Sequence, residues 1–136
     1  MASNLSNYLA KALNDHVFSA TAYSSPGTLY CALFTVAPTD GGGGTEVSGN
    51  AYARVGVTNN STNFPLASLS TGAKSNGTVI SFPTATGSWG TVVAVAWFDA
   101  SSGGNMLMFT TLNSSRAVST DDTPKYAIGG ITITFD

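Results

Sequence analysis

Charge is what this sequence has least of. Only 9% of its 136 residues are charged, and glutamate, histidine and cysteine occur once each, as Glu46, His16 and Cys31. The five cations (Lys11, Arg54, Lys74, Arg116 and Lys125) are scattered. A protein that tracks a phosphate backbone clusters its cations, because each neutralised phosphate adds to binding. Nucleic acid is therefore not an expected partner. One cysteine allows neither an internal disulfide nor a cysteine zinc cluster. The opening MASNLSNYLAKALNDHVF has no basic stretch followed by a continuous apolar core, so it does not read as a signal peptide. No apolar run approaches the ~20 residues of a membrane-spanning helix, so no membrane partner is expected.

What is present is apolar and small. Hydrophobic residues make up 43% of the chain, which is far from the composition of a disordered one. The length fits one domain spanning residues 1–136, able to fold without a staple. Leu5, Tyr8, Leu9, Ala12, Leu13 and Val17 recur at helical spacing, predicting an amphipathic helix over residues 4–17 capped by Ser3 or Asn4. Beyond SSPG the texture turns to β. TLYCALFT (28–35) is apolar on both alternating faces, as in a strand covered on one side by another sheet and on the other by the helix. Further strands are predicted over 51–58, 78–82, 91–99, 106–112 and 130–135, with an Asn76-Gly77 turn before the second of these. SSGGN joins 91–99 to 106–112 as a hairpin. The pattern predicts a mainly β, antiparallel sandwich or jelly-roll-like domain with one N-terminal helix.

PTDGGGGTEVSGNAYAR (38–54) raises the question of a phosphate cradle. A P-loop needs a lysine after its last glycine and a helix behind it, whereas Gly41 to Gly44 lead into Thr45-Glu46-Val47 and another strand. The run reads instead as a mobile surface connection with Asp40 and Glu46 solvated. His16 falls at the helix end, where it can meet the terminal carbonyls, and no serine is singled out as its nucleophile. Cys31 lies among apolar residues and reads as core. Asp99 and the Asp121-Asp122 pair lack the spacing of a calcium loop and read as turn formers. Of the aromatics, Trp97 and Phe98 must face opposite sides of a strand, while Trp89, flanked by Gly87 and Gly90, reads as the exposed one. No catalytic set, cofactor motif or metal cluster can be assembled from these residues.

Several stretches carry a resemblance: TLYCALFT, GGGGTEVSGNAYAR, SFPTATGSWGTVVAVAWFDASSGGNMLMF and the closing GGITITFD. Together they resemble a family of small tailed-bacteriophage virion proteins, often labelled tail fibre protein. The resemblance implies a structural particle component without catalytic residues, made in the host bacterial cytoplasm. Since the sequence contains no repetitive shaft, the expected role is a head decoration (cement) protein on the outer capsid surface. Its partners would be the major capsid protein and copies of itself, as a homotrimer. The alternatives are a tail or tail-fibre component, or a carbohydrate-binding module using Trp89. The expected interaction surface is Gly43, Gly44, Thr45, Glu46, Arg54 and Trp89.

Overall fold

The structure, a computed structural model, describes residues 2–135. Met1 and Asp136, the ends of the expected 1–136 domain, lie outside the described residues. Its centre is a run of three long antiparallel strands: β2 (Thr28–Val36), β7 (Gly90–Phe98) and β8 (Met106–Val118). β1 (Ala2–Leu5) adds to the outer side of β8, and β3 (Thr45–Glu46) and β4 (Val55–Thr58) pair with successive parts of β2. The result is a six-stranded sheet. Two short ladders form the second layer: β5 (Lys74–Ser75) with β10 (Thr132–Ile133), and β6 (Ile80–Ser81) with β9 (Lys125–Tyr126). The chain is mainly β and antiparallel, with one helix, α1 (Asn7–Phe18), among the described residues.

Register explains why the central strands read as apolar on both sides. Cys31 lies opposite Trp97 and Trp97 opposite Met108, while Leu33 lies opposite Val95; these face the ladders, with Phe64, Ile80, Phe82, Trp89 and Ile131 in the same core. The alternate residues Ala32, Phe34, Ala94, Ala96 and Phe109 form a smaller buried cluster on the other side. α1 lies against β8, its first turn bordering Phe34, Phe98 and Met106. The segment after the helix is tied back to it where Tyr23 N–H donates to His16 Nδ1. The two faces are called here the front, under the ladders, and the back, under the helix.

Element boundaries depart from the sequence reading where tertiary pairing decides them. The predicted helix over 4–17 instead starts at Asn7, because Ser6 is its cap: the Ser6 hydroxyl accepts from the Leu9 N–H at 3.1 Å. Residues 2–5 are drawn off into β1 by the open side of β8, so the helix begins beyond the expected Ser3 or Asn4. Helical hydrogen bonding continues past the residues expected to fray, ending at Ser19 on Asp15 O. The predicted strand over 51–58 keeps only Val55–Thr58, since Asn50 and Ala51 take positive φ of 50° and 68° and turn the chain. β8 runs past the expected 112 to Val118. Between the Ala94–Thr111 and Val92–Arg116 pairs, Val93 alone faces residues 112–115, a bulge that the polar NSSR sequence concealed. The predicted strands 78–82 and 130–135 shrink to two-residue ladders.

Asn76 is no exposed hairpin tip. Its side chain is buried: Oδ1 accepts from Ile131 N–H at 2.9 Å, and Nδ2 donates to Thr78 O and Ala127 O at 2.9 and 2.8 Å. A fully satisfied amide thus ties the segment between β5 and β6 to the one between β9 and β10.

Candidate functional site

The glycine run is an ordered turn. Thr39 N–H donates to Gly42 O at 2.9 Å, Gly42 N–H returns a bond to Thr39 O at 2.8 Å, and Asp40 O accepts from Asn7 N–H at 2.8 Å, fastening the loop to α1. Gly44 has a specific reason to be glycine. Its φ is +75°, and a Cβ there would lie 2.5 Å from Val36 O and 2.7 Å from Pro38 N. The run folds back on the end of β2, and β3 begins at once.

Glu46, expected in solvent, is instead the centre of a tie. Arg54 Nε and Nη2 grip its two carboxylate oxygens at 2.8 Å each, a bidentate pair, and the Tyr52 hydroxyl donates to Oε1 at 2.9 Å. Arg54 Nη1 donates to Ala100 O and Gly103 O, both at 2.9 Å, and its guanidinium carbon lies 3.7 Å above the Phe98 ring. The Arg54 side chain is only 7% exposed. Tyr52 also accepts the Leu33 N–H at 3.0 Å, where β2 and β3 slip register. Four stretches of chain meet here: residues 45–46, 52–54, 100–103 and the middle of β2.

The electrostatics follow from this packing. Burial pushes the Tyr52 phenol far above its ordinary range, so it stays protonated and can donate to Glu46. The hydrogen bonds to Glu46 raise Arg54 further, so the guanidinium stays charged. Glu46 already accepts three hydrogen bonds and Arg54 already makes four. The arrangement fastens loops together.

The remaining expected site residues separate. Gly43, Gly44 and Thr45 are at the surface, as read from sequence. Trp89 is not: it is 5% exposed, its ring meets Tyr52 edge-on at 5.3 Å, and its indole N–H donates to Asn50 O at 2.9 Å. The flanking glycines suggested exposure, but Trp89 is core and offers no sugar platform. Trp97 faces the front core and Phe98 the back cluster. Burial pushes the Cys31 thiol far up, so it is no thiolate nucleophile. His16 Nδ1 accepts from Tyr23 N–H at 3.2 Å, fixing the segment after α1 rather than meeting the helix carbonyls. Asp99 accepts from Asn105 N–H at 2.7 Å within the hairpin loop, and Asp122 from Ser119 N–H at 2.8 Å. Among the described residues no three His, Cys, Asp or Glu come together as metal ligands, and no helix is long and apolar enough to cross a membrane.

Two concavities adjoin these features. One, of about 540 Å³, opens between the first turn of α1, the glycine run and residues 103–106, with Arg54 in its wall. The other, of about 630 Å³, lies beside the β8 bulge and is lined by Leu33, Leu112, Arg116, Lys125 and Tyr126. The clamp therefore fixes one wall of the first.

A family model described as podophage GP4 fiber I protein gp80 matches residues 4–134. The chain belongs to this family. The match takes in α1, the glycine run, the clamp and both ladders. The family description makes it a structural protein of a phage virion, of fibre type. No curated protein matches the chain. The stretch from Gly44 through Arg54 carries part of the family resemblance, but its sequence alone does not disclose the clamp. The one available signal was spacing: the sole glutamate and one of two arginines lie eight residues apart.

Proposed function

We propose that the chain is a non-enzymatic structural subunit of a podophage fibre, joined to the particle and to further copies of itself through its surface loops. The observation that carries this reading is the fate of the signature residues. Glu46, Tyr52 and Arg54 spend their hydrogen-bonding capacity on one another and on loop carbonyls, which serves shape and not reaction. The family description favours a fibre. A second reading, a decoration protein that binds the outer capsid and braces neighbouring capsomers of the major capsid protein, draws on the described fold, one six-stranded sheet beneath two short ladders. Each weak contact of such a subunit would gain from many linked copies.

Labelling intact particles with antibody to the chain, before and after tails are removed, decides between them. The fibre reading expects label on tails or their appendages, at a copy number set by tail symmetry. Label that stays on DNA-filled heads, at a copy number set by the capsid lattice, would replace it with the decoration reading.

A further inference from the structure

Asn76-Gly77 is the one Asn-Gly pair in the sequence. In an open chain such a pair readily loses its amide, because a glycine carries no side chain to keep its nitrogen away from the asparagine Cγ. In the folded chain every group that reaction needs is committed. Asn76 N–H donates to Ile131 O at 3.3 Å, and Asn76 O accepts from Gly129 N–H at 2.9 Å. The Asn76 amide is held by Ile131 N–H, Thr78 O and Ala127 O. The would-be attacking nitrogen is held too, since Gly77 N–H donates to Asn63 O at 2.6 Å.

Packing explains why so labile a pair sits here. A Cβ on Gly77 would overlap Thr62 O and crowd the Pro65 ring, so only glycine fits. Position 76 asks for one acceptor and two donors on a short, buried side chain, which asparagine alone supplies. The fold thus requires both members of the pair, and its protection depends on partners about fifty residues further along the chain.

We propose that Asn76-Gly77 is a conditional deamidation site, shielded while residues 125–133 are seated and reactive whenever they lift away. The Gly77 nitrogen then bonds to Asn76 Cγ, its proton departs with the amide nitrogen as ammonia, and a cyclic imide closes. Water opens the imide at either carbonyl, leaving aspartate or its β-linked isomer. Neither product fits the folded site. Aspartate sets a buried carboxylate oxygen against Thr78 O and Ala127 O, where the amide had donated. The isomer adds a methylene to the main chain between residues 76 and 77, which carries Gly77 N–H out of line with Asn63 O. A copy that stays open long enough is thereby altered in one direction and does not close again.

The test incubates the full chain at mildly alkaline pH, in buffer and in denaturing guanidinium, and follows each asparagine by peptide mass spectrometry. In guanidinium Asn76 should convert ahead of Asn113-Ser114. In buffer Asn76 reacts only through the open fraction, so its rate should fall about a hundred-fold or more, and that of the exposed Asn113 by less. Ile131→Val trims a buried side chain of the seated segment and keeps its backbone bonds to Asn76; it should speed Asn76 in buffer a few-fold and leave Asn113 unchanged. After removal of guanidinium, converted chains should stay open to protease while unconverted ones regain resistance. Equal Asn76 rates in the two conditions, no acceleration in Ile131→Val, or full resistance in converted chains would each overturn the proposal. None of these readouts depends on where the subunit sits on the particle.

Discussion

The same three strands build two unlike faces. On the front, Leu33, Val95, Trp97 and Met108 meet Phe64, Ile80, Phe82 and Trp89 in a core of large side chains. On the back, the residues between them are Ala32, Ala94 and Ala96 beside Phe34 and Phe109. Small residues let a covering element approach closely, yet α1 fully buries only Leu9 and leaves Val17 and Phe18 65% and 83% exposed. Hydrophobic stabilisation scales with area removed from water. The front face is thus where the fold is held, and the back face is where apolar side chains are kept available.

Trp89→Ala would test that division hardest. It empties a large front-face site and leaves Asn50 O without its donor, so a loss of about 3–5 kcal/mol is expected in urea unfolding. A loss near zero would make the front face dispensable. Arg54→Ala is next. It strands Glu46 and frees the 100–103 loop, with an expected loss of about 3 kcal/mol by the same measurement. Arg54→Lys should recover little, because an ammonium cannot make the bidentate pair and the two carbonyl bonds together.

Alkaline pH sharpens the contrast more gently. The Cys31 thiol sits on the front face, fully buried, and its folded pKa is raised by that burial. Its contribution is therefore intact below the unfolded thiol value of about 8.5 and declines above it, where only the unfolded chain ionises. The slope expected from this group is about 1.4 kcal/mol of lost stability per pH unit. Cys31→Ala should remove that part of the pH dependence, seen by comparing urea midpoints at pH 8 and 10. Phe18→Ser should do least. On the exposed end of α1 its expected effect is within about 0.5 kcal/mol, and a larger loss would show that the back face carries fold stability after all.

Legibility in the sequence follows the same division. β2, β7 and the start of β8 were readable because apolar residues occupy both faces of each, and α1 because its spacing is helical. β1 was not, since ASNL has no alternation and becomes a strand only against β8. The two-residue ladders are too short to leave a period. The signature around Glu46 stood out, but its role depends on Ala100 O, 46 residues along the chain from Arg54, which no local pattern reports. Trp89 misled for a related reason. Its neighbours are glycines, while the groups that enclose it, Tyr52 and Asn50, lie far back in the sequence.

Asn76 has a consequence for synthesis. Its partners are Ala127 and Ile131, and the ladders around it need residues 125–126 and 132–133. As the chain emerges from the ribosome, Ile80 and Phe82 therefore wait for residues 125–133 before their layer can close. Contacts this distant form late, and apolar surface exposed meanwhile invites association between nascent chains. Residues 125–133 therefore set the pace at which folded chains accumulate.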